Sequence, residues 1–98
     1  MKIFISQPMK GKTQEQIETE RNKAIKEIKK MVDSDVVIID SFFKDIDLEK
    51  PPLWYLGESI KLLSSADYIY LCDNWVKSRG CVIEYLCALS YNIKILKY

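Results

Sequence analysis

The chain has 98 residues, of which 48% are hydrophobic and 30% are charged. This composition is that of one small folded domain spanning residues 1–98. Fifteen basic and fourteen acidic residues leave a net charge of +1, so no long-range field draws the protein to nucleic acid or to an anionic membrane. The chain contains no histidine, which excludes a histidine base, a Ser-His-Asp triad and a histidine-containing metal site.

The three cysteines, Cys72, Cys81 and Cys87, follow no zinc-binding spacing. They are expected to be reduced and mostly buried, as in a cytoplasmic protein. The starting sequence MKIFIS lacks the apolar run of a signal peptide. No apolar stretch approaches the roughly 20 residues that span a bilayer.

In chain order, the first predicted element is a buried strand at Lys2–Ser6, because Ile3-Phe4-Ile5 is a short apolar run. A loop follows at Gln7–Lys12, where a proline and a glycine occur. Thr13 and Gln16 form a capping box, which predicts that the first helix begins there. Its core face is expected to carry Ile17, Ala24, Ile25, Ile28 and Met31. Its solvated face is expected to carry Glu18, Glu20, Arg21, Lys23, Lys26, Glu27, Lys29 and Lys30.

The second strand is predicted at Val36–Ile39, where four consecutive β-branched residues indicate burial on both faces. It ends at Asp40–Phe43, and an acidic loop continues to Glu49. Pro51-Pro52 suits the first turn of the second helix. The core stripe of this helix is expected to be Leu53, Leu56, Ile60 and Leu63.

The last third of the chain predicts a third strand at Asp67–Cys72 and a polar loop at Asp73–Arg79. A third helix follows at Gly80–Tyr91, with Asn92 as its C-cap, and a fourth strand at Ile93–Leu96. The alternation of strands and helices predicts a three-layer α/β sandwich with a four-stranded parallel sheet in the order 2-1-3-4. Ligands bind such sheets outside the carboxyl ends of the strands.

The first loop at this edge joins a strand to a helix N-terminus, where free backbone N–H groups and the helix dipole favour anions. The alternative is an ordinary polar turn. Its candidate substrate-binding residues are Ser6, Gln7, Pro8, Met9, Lys10 and Gly11. In the second loop, Asp40 and Ser41 could bind sugar hydroxyls and Phe42 could stack on a base, or the aspartate is a cap and the phenylalanine belongs to the core.

The third loop contributes Asp73, Asn74, Trp75, Arg79 and Gly80, and leads to a glutamate inside an apolar helix. A carboxylate in that position is expected to have a partner or a function, because burying it unpaired costs free energy. Glu84 could cap local N–H groups, pair with Arg79, or point into the cleft as a nucleophile or base. A carboxylate can attack an anomeric carbon and form a covalent glycosyl intermediate.

Several segments resemble the nucleoside 2-deoxyribosyltransferase-like superfamily. Arg79–Ala88 is similar to its G-[TC]-x-x-E-x-x-x-A signature, Ser65–Asp73 to its "AD-strand-D" segment, and Ile3–Met9 to its first strand and loop. Pro52–Gly57 and the spacing of Trp75 to Cys81 are closer to a short branch of it that is often found in phage and other mobile genomes. The resemblance covers nearly the whole chain.

The resemblance implies a flavodoxin/Rossmann-like fold and an enzyme that transfers or hydrolyses the N-glycosidic bond of a nucleoside or nucleotide. Glu84 matches the glutamate that attacks C1′ of the sugar, and Asp73 matches an aspartate that helps to protonate the leaving base. It implies no metal and no organic cofactor. It also implies a homo-oligomer, which Trp54, Tyr55, Trp75 and Tyr98 favour because a core of this size accommodates them poorly.

Two departures separate this chain from the transferases that it resembles. Their first loop usually carries a tyrosine that orients the glutamate, whereas Ser6–Met9 has none, and Cys81 stands where threonine is common. Tyr55 or Tyr85 could take the place of that tyrosine. The alternatives to an enzyme are a nucleotide-binding protein that sequesters or senses a nucleotide signal, as in phage anti-defence, and an oligomer-forming domain with a vestigial site.

Overall fold

Strands and helices alternate along the whole of the described chain, as predicted. The computed structural model describes residues 1–32, 35–41 and 50–98. The elements are β1 (Lys2–Ser6), α1 (Gln14–Met31), β2 (Val37–Ile38), α2 (Pro52–Leu63), β3 (Tyr68–Leu71), a single 3-10 turn (Trp75–Lys77), α3 (Arg79–Ser90) and β4 (Lys94–Lys97).

All four strands are parallel and lie in the order β2-β1-β3-β4, which confirms the predicted order. β1 and β3 form the centre of the sheet, with Ile3 opposite Tyr68 and Ser6 opposite Leu71. This register brings the carboxyl ends of β1 and β3 side by side. The loops that follow these two strands therefore start from the same point on the edge of the sheet.

Alternation along the central strands divides the core into two layers, because successive side chains of a strand point to opposite faces. One layer lies between the sheet and α1 and contains Ile3, Ile5, Ala24, Ile28, Tyr70 and Cys72. The other lies between the sheet and the pair α2 and α3, and contains Phe4, Leu63, Ile69, Leu71 and Ala88. The molecule is thus a three-layer α/β sandwich.

Side-chain caps fix the starts of the two helices that lead away from this edge. The predicted capping box is present: the Gln16 N–H donates to Thr13 Oγ1 (3.1 Å) and the Thr13 N–H donates to Gln16 Oε1 (2.9 Å). Ser78 caps α3 by accepting a hydrogen bond from the Cys81 N–H (3.4 Å), so α3 starts one residue before the predicted Gly80. It ends before Asn92, which has a φ of 61°.

Some predictions about burial are wrong. Val37 is 55% exposed, because β2 is an edge strand of only two residues and not a strand buried on both faces. Met31 and Leu53 are also exposed, because each lies in the terminal turn of its helix, beyond the part that covers the sheet. Arg21, expected in solvent, is buried at 8% exposure.

The described part of the chain, residues 1–32, 35–41 and 50–98, contains no helix with the length and apolar character needed to cross a membrane.

Candidate functional site

Ser6 and Glu84 meet at the carboxyl end of β1, although 78 positions separate them in the sequence. Ser6 faces the α3 side of the sheet, as Phe4 does. α3 turns Cys81, Glu84 and Ala88 toward the sheet, at the i, i+3, i+7 spacing of one helical face. Ser6 Oγ donates a hydrogen bond of 2.6 Å to Glu84 Oε1, a length typical of a hydroxyl bound to a carboxylate.

The environment of Glu84 favours its neutral form. The residue is 7% exposed, and burial raises the pKa of its carboxyl from 4.5 to about 7, while the hydrogen bond from Ser6 opposes this rise. Within the described residues no ion pair joins Glu84 to Arg79. The described partner of this carboxyl is therefore Ser6 and not Arg79.

Two buried thiols lie close to this pair. Burial raises the pKa of Cys81, with Ser6 and Ser78 opposing the rise, and burial raises the pKa of Cys72 to about 12. The thiolate is the reactive form of cysteine, so both side chains remain neutral and unreactive near neutral pH. Glu84 is thus the better candidate for a nucleophile at this edge.

A cavity of about 240 Å³ opens at the same edge on the other side of the sheet, between α1 and the ends of β3 and β4. Asp73 and Asn74, both predicted site residues, line it, whereas Glu84 does not. The full lining is Lys12, Glu20, Lys23, Ala24, Glu27, Tyr70, Cys72, Asp73, Asn74 and Lys97.

Polar contacts in this cavity centre on the ammonium group of Lys97. Tyr70 Oη donates to Glu27 Oε2 (2.6 Å). Lys97 Nζ lies 3.4 Å from Tyr70 Oη, 3.4 Å from Glu27 Oε1 and 3.6 Å from Asp73 Oδ1. Burial, together with the hydrogen bond to Glu27, raises the pKa of Tyr70 to about 12. At the mouth, Lys12 Nζ contacts both carboxylate oxygens of Glu20 (2.8 and 2.7 Å).

The cavity and the Ser6–Glu84 pair lie on opposite faces of the sheet, where β1 and β3 end side by side. The Cys72 N–H donates to the Ser6 carbonyl oxygen (3.0 Å). Because Cys72 points toward α1 and Ser6 toward α3, the two regions lie on opposite sides of the sheet at one edge. Cys81, beside Glu84, also interacts electrostatically with Lys12 of the cavity.

At the end of β2, the buried Arg21 contacts Ser41, one of the three residues predicted for this loop, Asp40, Ser41 and Phe42. Its guanidinium donates from Nη2 to the Ile39 carbonyl oxygen (2.8 Å) and from Nη1 to Ser41 Oγ (3.3 Å). Ser41 Oγ in turn donates to the Ile5 carbonyl oxygen (3.4 Å). Burial lowers the pKa of Arg21, and the nearby exposed Asp40 opposes this. Ser41 is therefore buried in a network that ties α1 to β1 and β2.

The predicted residues of the first loop differ in how deeply they are buried. Gln7 is buried and its Nε2 donates to the Ile17 carbonyl oxygen (2.7 Å), while Gln7 Oε1 has no hydrogen-bond partner among the described residues. Pro8 and Met9 are half-buried, and Lys10 and Gly11 are exposed. The φ of +80° at Gly11 lies in the region that favours glycine.

Three predicted residues of the third loop lie in the 3-10 turn and the first turn of α3. Trp75 packs against Tyr85, with ring centroids 4.7 Å apart, so it belongs to the α3-side core more than to a cleft. Arg79 is exposed. A Cβ at Gly80 would meet no atom within 4 Å, so close packing does not require a glycine there. Phe42 lies outside the described residues.

Sequence reasoning missed Arg21 and the cavity residues Glu27, Tyr70 and Lys97. Arg21 had a signal: it lies four residues after Ile17 and seven before Ile28, on the apolar face of α1. The cavity residues had none, because they meet only once β4 packs beside β3 under α1. The described residues contain no cluster of three or more His, Cys, Asp or Glu side chains that could hold a metal ion.

Comparison with protein families gives one match. The model of the domain of unknown function DUF4406 matches residues 1–97, and the chain therefore belongs to this family. Neither a search of curated proteins nor a search of solved structures found a match.

Proposed function

We propose that this DUF4406 domain breaks the N-glycosidic bond of a nucleoside or nucleotide, with Glu84 as the nucleophile. The observation that carries the proposal is the buried Glu84 carboxyl, held by Ser6 through a 2.6 Å hydrogen bond at the carboxyl edge of a parallel sheet. Parallel sheets bind ligands at this edge, and carboxyls whose pKa is strongly shifted cluster at functional sites. The likeness to the 2-deoxyribosyltransferase signature around Glu84 supports the same reaction.

The reaction has two steps on the sugar carbon C1′. An oxygen of Glu84 attacks C1′, the bond from C1′ to the base nitrogen breaks, and its electron pair leaves with the base, which takes up a proton. A second base or a water molecule then attacks C1′ and gives its proton to the group that protonated the first base, and the bond from C1′ to Glu84 breaks to restore the free carboxylate. Asp73, exposed at the mouth of the adjacent cavity, is the candidate proton donor to the base. Lys10, exposed in the first loop, is a candidate to hold a phosphate, whereas the hydroxyl of Ser41 is already bound by Arg21 and Ile5.

Ser6 takes the role that a first-loop tyrosine has in the transferases that this chain resembles. Its hydroxyl fixes Glu84 Oε1, which leaves Oε2 for the attack. Tyr85, the neighbour of Glu84 in α3, packs against Trp75 and Tyr98 instead. Because only the ionised carboxylate is a nucleophile, base release should increase as the pH rises through about 7, the pKa of Glu84.

The test is chromatography of nucleosides and nucleotides incubated with the protein, with and without an acceptor base. Wild type should release or exchange a base, and Glu84→Gln should lower the rate by about 10³-fold or more, as loss of a nucleophile does. Glu58→Gln, at a surface glutamate paired with Lys61, is the matched control and should keep the wild-type rate. Equal rates in wild type and Glu84→Gln would contradict the proposal.

A second candidate, binding without turnover, is favoured by the pKa of about 7 at Glu84. Below that pH the carboxyl is mostly protonated and can donate a hydrogen bond to a ligand while being a poor nucleophile. Such a protein would sequester or sense a nucleotide signal, as a phage anti-defence protein would. Recovery of intact nucleotide bound to both wild type and Glu84→Gln, with no free base, would identify this function.

We also propose that the protein is a homo-oligomer that assembles through α3. Leu86 and Leu89 are about half exposed on the side of α3 away from the sheet, and the exposed residues of α3 after Arg79 carry no charge. Two copies can therefore bring this stripe together without like-charge repulsion. A solution mass equal to that of one chain at micromolar concentration would contradict assembly.

A further inference from the structure

The hydroxyl of Ser6 lies between two side chains of α3. It donates the 2.6 Å hydrogen bond to Glu84 Oε1, and it also interacts by a side-chain hydrogen bond with the thiol of Cys81. A serine hydroxyl has one proton to donate and two lone pairs that accept. Because Ser6 is 1% exposed, these neighbours and not solvent decide which way its proton points.

The thiol of Cys81 is placed to be the donor in this contact. Cys81 is 2% exposed and lies one turn before Glu84, on the face of α3 that is turned to the sheet. Its backbone N–H donates to Ser78 Oγ (3.4 Å), which fixes the first turn of the helix. Burial raises the pKa of Cys81, so the thiol keeps its proton near neutral pH. A protonated thiol can donate to an oxygen, and Ser6 Oγ has a lone pair to receive it.

The ionisation of Glu84 depends on few groups. Burial and the hydrogen bond from Ser6 are the causes of the shifted pKa of Glu84. Besides Glu84, Lys12 is the charged side chain that acts on Cys81 among the described residues. Cys72, the titratable group at the end of β3, points to the other face of the sheet. A change in how Ser6 donates therefore acts directly on the charge of Glu84.

We propose that Cys81 is a positioning residue for Glu84: its S–H donates to Ser6 Oγ and thereby leaves the Ser6 proton to face Glu84 Oε1. Hydrogen bonds in a chain polarise one another, so the thiol makes Ser6 a better donor and favours the ionised carboxylate. Cys81 acts through Ser6 and does not touch the substrate. The consequence for catalysis rests on the proposed function, since it supposes that the ionised Glu84 attacks C1′.

The experiment compares Cys81→Thr with Cys81→Val, two side chains of the same shape that differ in a hydroxyl donor. The ionisation of Glu84 is followed by NMR in protein labelled with carbon-13 at the glutamate side-chain carboxyl, and Glu84→Gln identifies its signal. The pH at which base release is half-maximal is measured in parallel. Cys87→Val, at the half-buried cysteine further along α3, is the matched control.

Cys81→Thr should keep the wild-type titration midpoint of Glu84. Cys81→Val should move the midpoint higher by about half a pH unit, and base release below the midpoint should fall by about 3-fold. In a Ser6→Ala background the two variants should titrate alike, because the effect passes through Ser6. Cys81→Ser and Cys81→Ala form a second pair of the same design if a β-branched side chain does not fit beside the sheet.

Three results would each overturn the inference: equal midpoints within a pair, a shift in Cys87→Val as large as that in Cys81→Val, or a difference that persists without Ser6. Failure of the proposed function gives a different result. A difference between Cys81→Thr and Cys81→Val in the NMR titration, without base release by wild type, would overturn the reaction alone. Base release that is lost in Glu84→Gln, with equal midpoints in the Cys81 variants, would overturn the role of Cys81 alone.

Discussion

The two faces of the sheet differ, at its carboxyl edge, in how their charged groups are buried and paired. On the α3 side, Glu84 is a single buried carboxyl with one short hydrogen bond, from Ser6. On the α1 side, the cavity holds six charged groups that are partly exposed and face one another. The two regions begin at Ser6 and Cys72, which are hydrogen-bonded neighbours on adjacent strands.

This difference shows what each side can do chemically. Desolvation of an isolated carboxyl raises its pKa, and at Glu84 it reaches about 7, so this group changes its charge near neutral pH. On the α1 side, hydrogen bonds and ion pairs favour the ionised form of the carboxylates. There Tyr70 and Lys97 lower the pKa of Glu27. In the proposed function the α3 side carries the group that reacts, because only there, among the described residues, does a carboxyl change its charge near neutral pH.

Replacing Ser6 by alanine should affect the reactive side most. The hydrogen bond from Ser6 favours the ionised form of Glu84, so its loss raises the pKa of the carboxyl further and leaves its orientation free. We expect base release at pH 7 to fall by about 10²-fold and its rise with pH to move to higher pH. Ser90→Ala, at the exposed end of α3, should leave the pH profile unchanged, and an unshifted profile in Ser6→Ala would contradict the role of Ser6.

The raised pKa of Glu84 makes the stability of the protein depend on pH. The unfolded chain loses this proton near 4.5 and the folded chain near 7, so the stability that this group contributes is fully present below 4.5 and is lost as the pH rises through 7. Relative to wild type, Glu84→Gln should gain about 2–3 kcal/mol in free energy of unfolding between pH 4.5 and pH 8.

Urea unfolding of wild type and Glu84→Gln across this range measures the effect. Glu58→Gln removes a carboxylate that forms a surface ion pair and should show no comparable gain with pH. A constant difference between wild type and Glu84→Gln at all pH values would show that Glu84 is not held in its neutral form.

The smallest effect is expected on the α1 side. Lys12 pairs with Glu20 at 2.7 Å, but both side chains are partly exposed, and ion pairs of this kind contribute less than about 1 kcal/mol and are screened by salt. Lys12→Met should therefore change the free energy of unfolding by less than about 1 kcal/mol. A loss of several kcal/mol that persists in 1 M salt would mean that this cavity is part of the stabilising core.

The sequence predicted the sheet well, because strand order and element type depend on local patterns that this chain follows closely. It also indicated Glu84, since a carboxylate stands out in an apolar helix. It misjudged Val37, since burial of a strand depends on its neighbours in the sheet and not on its own residues. It misjudged Arg21 because a charged residue on the apolar face of a helix was assigned by its type and not by its position.

The cavity could not be predicted, for a different reason. Glu27, Tyr70 and Lys97 come from α1, β3 and β4, and only the packing of these three elements brings them together. Asp73 was predicted beside the reacting base from a resemblance, yet its contact with Lys97 depends on β4, which pairs with β3 at the far end of the chain. Long-range contacts of this kind leave no spacing pattern in a single sequence.

The most direct test of the central claim is mass spectrometry of the intact protein, quenched in acid during incubation with the nucleoside that wild type cleaves. If Glu84 attacks C1′, wild type should gain the mass of one sugar residue, and peptide mapping should place it on Glu84. Glu84→Gln should gain nothing. Base release by wild type without any sugar bound to the protein, and undiminished in Glu84→Gln, would contradict the account.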